Sequence, residues 1–437
     1  MAKTALIVGA GAAGLSCAVE LARAGLRVTI LEGRDRVGGR IFTQHVAGIE
    51  VPVELGAEFV HGRPPEIFKP MKGASEEIIE STGDDWCREE GHLCACEFFE
   101  KVEELLEKMK DYASPDRSFS SFLEELPRER DDENIRARAL EYVSGFNAAD
   151  PGKISVRSLV KDMERSQEIG GDQTFRLRKG YPALVSWLQH ECTRNGVELR
   201  TDHAVRNVRY DGARAVISGN HFQERFEIEA DVLVMTVPVS LLVPGTVASI
   251  SFNPELPAVK LDALRGTAMG PVMRVVLIFK EAFWKGIKDR KGRSLSTMRF
   301  LFSHDQFFPT WWTQHPVESP MLVAWSSGPR AHQFHGWTRE KIAEQAIASL
   351  ANILPISERE LAGQLREAFL HDWQSDPFSL GAYSYLCVGA ADAASELARP
   401  LGNLHFAGEA TDANGDHGTV HGAIASGRRA ALEILGK

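Results

Sequence analysis

Cysteine is scarce in this chain of 437 residues: there are six, at positions 17, 87, 94, 96, 192 and 387. That is too few for a disulfide framework, and reduced thiols are the expectation. Cys87, His92, Cys94 and Cys96 lack the paired C-x-x-C spacing of a zinc site, so no metal is expected either. Long apolar runs are also missing. The longest, residues 232–242 and 272–279, have strand length and fall short of the ~18–20 residues that a membrane-spanning helix needs, so no membrane partner is expected. Excess positive charge is absent: 50 basic against 60 acidic side chains leave a net charge of −10, without the basic cluster that a nucleic-acid surface shows. No charged leader and long apolar core open the chain, because residues 4–8 already read as a buried strand. The expectation is a cytoplasmic protein, monomer or homodimer, with a small or cationic molecule as its partner. Gly/Ser linkers, repeats and low-complexity tracts are lacking too.

What is present has the composition of a soluble enzyme, 43% apolar and 25% charged. At roughly 150 residues per domain the length implies two or three domains. The first 33 residues read as one βαβ unit: a strand at 4–8, a helix at 14–24 closed by Gly25, and a strand at 26–31. Residues 76–145 change character. Acidic stretches at 97–112 and 134–144, poor in β-branched residues and separated by Pro115 and Pro127, predict a helical insertion. Glu124-Glu125 and residues 131–133 read as solvated faces that would attract cations if they lined a substrate entrance. A helix at 183–195 leads to a strand meander at 197–199, 204–210, 214–218 and 222–228, with a turn at Asp211-Gly212, and then to a buried strand at 232–237. Strands at 274–279 and 322–326 with helices at 341–350 and 357–369 predict a second layer. A strand at 404–407 and a helix at 419–435 repeat the opening pattern, so the chain returns to its first domain.

Gly9-Ala10-Gly11-Ala12-Ala13-Gly14 is G-x-G-x-x-G between a strand and a helix, with Glu32 ending the next strand. Gly9 permits the tight turn, Gly11 lets backbone N–H groups approach a pyrophosphate, and Gly14 lets helix and sheet pack closely. Glu32 suits ribose hydroxyls and would repel a 2′-phosphate. These coincident requirements point to an adenine dinucleotide. Gly33 through Gly39-Arg40 is a second glycine-rich turn, with Arg34, Arg36 and Arg40 able to pair with a diphosphate.

The order of these stretches, followed by 55–62 (Leu-Gly-Ala-Glu-Phe-Val-His-Gly), by Trp373 through Gly381-Ala382-Tyr383-Ser384, and by Phe406-Ala407-Gly408-Glu409 through His421-Gly422-Ala423, resembles the flavin-dependent amine oxidase family over nearly the whole chain. The resemblance implies FAD and oxidation of a C–N bond. It places Gly9, Gly11, Ala13 and Gly14 on the pyrophosphate, Glu32 and Gly33 at the adenosine ribose, and Arg34, Gly39 and Arg40 beside the diphosphate and ribityl chain. Val205 matches a strand whose backbone contacts adenine. Gly56 and Ala57 match backbone close to the flavin ring, and Trp373, Gly408 and Glu409 belong to matching motifs. A helix starting at Thr419-Val420 would aim its positive end at a flavin carbonyl; Thr419 also suits an N-cap.

The same resemblance places Tyr383 as one wall of an aromatic cage, with Thr419 where a second Tyr would stand. Ala382 occupies the position of the Cys that holds flavin covalently in monoamine oxidases, which implies non-covalent FAD. His61 matches a polyamine-oxidase histidine near the substrate amine. The chief departure is Arg274, where the family has a Lys that touches flavin N5 through a water. Arg remains charged and cannot shuttle a proton, so slower reaction with O2 is expected, or else a site for a substrate carboxylate. The fold expected is α/β, a Rossmann-type FAD-binding domain (1–75, 178–256 and 373–437) interleaved with an α+β substrate domain (76–177 and 257–372). The expected activity is amine oxidation with O2 as the second substrate. A dehydrogenase or desaturase with another acceptor, an L-amino-acid oxidase, and a flavoprotein whose chemistry has lapsed are the alternatives.

Overall fold

The computed structural model describes residues 3–96, 98–127 and 132–437; Glu97 and Asp131, at the edges of two acidic stretches, lie outside them. The first strand, Thr4–Val8, is the centre of a five-stranded parallel sheet. Its strand order is Glu198–Arg200, Arg27–Leu31, Thr4–Val8, Val232–Met235, Leu404–Phe406. Continuous apolar runs such as Val232–Met235, buried at every position, are what a sheet covered on both faces requires. On one face lie the helices Ala12–Arg23 and Val420–Leu435. They approach so closely that a Cβ on Gly427 would stand 2.2 Å from the Ala13 carbonyl oxygen. The end of the chain thus packs directly on its beginning. The other face packs against a four-stranded sheet containing His203–Tyr210, Ala215–His221, Glu224–Ala230 and Ser251–Asn253.

A seven-stranded sheet forms the second large core. Its strand Val272–Phe279 is buried throughout and pairs antiparallel with Met321–Ser327 on one side and Leu365–Leu370 on the other. Strand alternation sends Met273, Val275, Leu277 and Phe279 to one face. Val276 and Ile278 go to the opposite face, and Arg274 shares their parity. The short pair Thr267–Gly270 and Tyr383–Leu386 sets Tyr383 opposite Gly270, four residues before Arg274.

Four expectations change. Residues 76–145 are not helical throughout: Ile78–Glu80, Asp84–Glu89 and His92–Ala95 are strands, the last two forming the edge of the seven-stranded sheet, and helices follow at Phe98–Glu107 and Asp132–Phe146. The expected strand 197–199 is Glu198–Arg200, and it extends the parallel sheet rather than opening the meander. The helix expected at 357–369 stops at Gln364, because Leu365–Leu370 gains a ladder with Val272–Phe279. Finally, the thiols are not all reduced. The hairpin brings Cys96 back beside Cys87, with Cα atoms 5.2 Å apart, and the two form a disulfide. Cys17, Cys94, Cys192 and Cys387 are free. Among the described residues no helix is long and apolar enough to cross a membrane, and no group of three or more His, Cys, Asp or Glu side chains is arranged to hold a metal ion.

Candidate functional site

One cavity of about 1350 Å³ runs from the glycine-rich loop to the seven-stranded sheet. Sites for single small ligands occupy roughly 300–1,000 Å³, so there is room for a dinucleotide and a second molecule. Of the residues that the family resemblance assigns to flavin or substrate, all but Gly14 line it; Arg36, the remaining arginine of the second glycine-rich turn, does not, and donates instead to the Ile41 and Gly39 carbonyls at 3.0 Å each. Gly14 works from behind: a Cβ there would meet the Gly9 carbonyl oxygen at 2.0 Å. Gly9 adopts φ +110°, a conformation that side chains resist. Nothing stands within 4 Å of a Cβ built on Gly11, the residue that starts the first helix without a side-chain cap. Uncapped N–H groups at a helix N-terminus facing open space form an anion cradle.

Glu32, 4% exposed, accepts one backbone N–H on each oxygen, from Ala10 at 2.8 Å and Arg34 at 3.0 Å. Each oxygen keeps a lone pair for a ribose hydroxyl. Arg34 donates to Asp376 at 2.8 Å and to Ser379 at 2.9 Å, so its charge is largely matched within the protein. Gly33 fits against the Phe378 ring, where a Cβ would be 2.5 Å from Cε1. Arg40 donates to Glu409 at 2.8 Å and to the Ala382 carbonyl at 2.9 Å. Glu409 in turn accepts from Ser384 and from the Gly418 N–H. Burial alone would raise the Glu409 carboxyl; Arg40 and these donors hold it below its ordinary value. The pair therefore ties the second glycine-rich turn to the closing motif. Val205 sits at an irregularity of the strand pairing, and the Trp373 indole donates to the Leu55 carbonyl at 2.8 Å. This set, an uncapped helix start, a buried carboxylate with acceptor capacity to spare and a long cavity, fits a flavin dinucleotide.

At the other end stands Arg274, 4% exposed. One guanidinium nitrogen donates to the Gly56 carbonyl at 2.9 Å, and the other is ion-paired with Glu58. Two terminal nitrogens are thus committed, and only Nε is buried without a partner. That corrects the expectation that Arg274 is available for a substrate carboxylate. Glu58 is the residue that sequence reasoning missed. Its carboxylate also accepts from Arg176 at 2.7 Å, Gln314 at 3.1 Å and the Trp312 indole at 3.1 Å. Burial pushes Glu58 up, and Arg274 and Arg176 more than reverse that, leaving it ionised. The available signal was a lone acid inside the otherwise apolar run Ala57-Glu58-Phe59-Val60.

His61 lies on the short strand Val60–His61, its ring 5.1 Å from that of Phe146. Burial and the nearby His421 push its pKa down to about 4, so it is neutral at physiological pH. The Tyr383 hydroxyl donates to the Phe146 carbonyl at 2.7 Å, and burial holds its proton on. Thr419 is the N-cap of Val420–Leu435, accepting from the Gly422 N–H at 3.0 Å. The far wall is acidic: Glu103, Glu104, Glu107, Glu141, Asp162 and Asp172 line the cavity from the region 98–172. Glu124 and Glu125, expected candidates for such a wall, are not part of it.

A model of the family described as flavin containing amine oxidoreductase matches residues 12–76 and 88–435. A lysine-specific histone demethylase 1 homolog 3 from Oryza sativa subsp. indica is 31% identical over 99% of this chain and 54% of its own length. Polyamine oxidase 3 from Oryza sativa subsp. japonica is 29% identical over 98% of this chain and 88% of its own. The chain therefore spans about half the length of the first of these relatives. The structure of putrescine oxidase bound to putrescine superposes with a TM-score of 0.81 at 20% identity over all of both chains. That of cyclohexylamine oxidase from Brevibacterium oxydans IH-35A gives 0.79 at 20%; these likenesses show the fold. With the family model covering nearly its whole length, on top of a dinucleotide cradle and a committed buried arginine, the chain belongs to the flavin-containing amine oxidoreductases.

Proposed function

We propose that this protein oxidises the C–N bond of a small amine, using non-covalently held FAD and O2. The observation that carries the reading is the single cavity joining the cradle at Gly9–Gly14 to the wall bearing His61, Tyr383 and Arg274. Bound there, FAD would supply the two-electron oxidation of the amine-bearing carbon, with dioxygen as the second substrate. Gly9, Gly11, Ala13 and Glu32 would hold the pyrophosphate and ribose, and Gly56, Ala57, Gly408 and Val420 would border the ring. The N-terminus of Val420–Leu435 adds positive potential there. Neutral His61 would accept or donate one hydrogen bond to the amine without repelling it. Tyr383 would form an aromatic wall, and the discontinuous FAD-binding and substrate-binding domains would meet at this cavity.

The acidic far wall supports a cationic substrate over an amino acid, and so does the commitment of Arg274 to Glu58 and Gly56. The test is turnover in air with a panel of putrescine, spermidine, cyclohexylamine and L-amino acids, with peroxide assayed. Peroxide formed from at least one amine and from no amino acid is expected; the reverse preference would sink the reading. A second reading has one observation in its favour. Arg274 in place of a lysine cannot release a proton, which suits a dehydrogenase that hands electrons to another acceptor. Turnover with a dye but no peroxide would select it.

A further inference from the structure

The acidic wall holds one carboxylate, Asp162, that stands beside an imidazole and has been given no part in proton transfer. Asp162, on the helix Val156–Glu168, meets His417 Nε2 at 3.3 Å through Oδ2. Its other oxygen, Oδ1, is buried and has no hydrogen-bond partner. A buried acceptor left open at a cavity wall is suited to a donor that arrives with the ligand. Both residues line the same cavity as His61 and Tyr383. The turn that carries His417 passes beside Tyr383: a Cβ on Gly418, the next residue, would stand 3.4 Å from Cδ2 of Tyr383. The neighbouring histidine differs. His421 is paired with Asp416, and Asp416 also accepts from Arg165 at 2.8 Å, so that set is satisfied internally.

We propose that Asp162, steadied by His417, accepts the proton that an ammonium substrate must lose before its carbon can be oxidised. The inference rests on the amine-oxidising reading. The N–H bond of R–NH3⁺ breaks, its electron pair remains on nitrogen to give R–NH2, and an O–H bond forms at Asp162 Oδ1. No oxidant or reductant is involved. Burial pushes the Asp162 carboxyl up to about 7, against the pull of His417 and Lys161 and together with repulsion from Asp412 and Asp416. A base works best when its pKa lies near the working pH. His61, at about 4, is too weak a base for this transfer.

The test is anaerobic flavin reduction in the holoenzyme against pH, using the fastest amine of the panel above, for wild type, Asp162→Asn and His417→Gln. The wild-type rate should rise with pH through a limb near neutrality. Asp162→Asn should lose that limb, with a rate at pH 7 on the order of 100-fold lower, and should recover at alkaline pH where the amine is already neutral. His417→Gln should move the limb to higher pH, because the imidazole holds the carboxyl down. A role limited to packing would lower the rate equally at every pH. That outcome, or an unchanged profile in both variants, would overturn the assignment while leaving amine oxidation intact. If Asp162→Asn fails to retain flavin, an unmoved limb in His417→Gln is the overturning result. A wild-type flavin that no amine reduces would overturn the functional reading and this assignment together.

Discussion

Glu58 organises the electrostatics at the end of the cavity where Arg274 stands. It is the one carboxylate shared by Arg274 and Arg176, with Trp312 and Gln314 completing its hydrogen bonds. Removing one member of a buried ion pair strands the other, at a cost of about 3–5 kcal/mol. Glu58→Gln should therefore lower unfolding free energy by that order in denaturant titrations, whereas Glu124→Gln, on the surface, should be near neutral. His61 makes a second prediction, on pH. Its pKa is lowered from 6.5 to about 4 by burial and His421. Between those values the unfolded chain binds a proton that the folded one refuses, so stability falls as pH drops from 6.5 towards 4. Equilibrium unfolding at several pH values should show that slope flattened in His61→Gln. Single residues were the least legible level of the sequence. His61 and Arg274 stood out by motif, yet the partners of Glu58 lie 118, 216 and 256 positions away, and no local pattern announces a contact at that separation.

At the scale of elements, strand and helix periodicity located most segments, and the failures share a cause. Residues 365–370 carry a helix-compatible sequence, but a ladder partner in Val272–Phe279 outweighs local preference. Glu198–Arg200 joins the parallel sheet for the same reason, since the vacant edge of Arg27–Leu31 accepts it. Ends set by side-chain chemistry were easier to read. Thr419 caps Val420–Leu435 and also donates to the Asp416 carbonyl at 2.5 Å, fixing the turn that carries His417 and Gly418. Thr419→Ala should cost about 1 kcal/mol of stability. It should also weaken flavin retention, measured by dialysis of the holoenzyme, because the helix start borders the cavity. Unchanged retention would separate the capping role from any role toward the cofactor.

Across the whole molecule, one parallel sheet gathers strands from distant parts of the chain. The last helix and the first are held together through the close approach of Gly427 to Ala13, and the intervening segments build the second sheet and the acidic wall. The consequence is a cavity whose two ends, at the glycine-rich loop and at the seven-stranded sheet, come from distant parts of the sequence. Arg274, on the strand of that second sheet next to its edge strand Leu365–Leu370, carries the prediction for the oxidative half-reaction. Arg274→Lys should speed reoxidation of reduced flavin by O2 in stopped-flow mixing, and an unchanged rate would contradict the role assigned to this position. Glu58 would be left with Arg176 and a more flexible cation, so the variant's stability should be checked alongside. Anaerobic titration of the flavin-loaded protein with amines, followed at the flavin's visible absorption band, tests amine oxidation most directly. Loss of that band with at least one amine, and its persistence with every L-amino acid, is the predicted result. A flavin that stays oxidised with every amine tried would contradict the central claim.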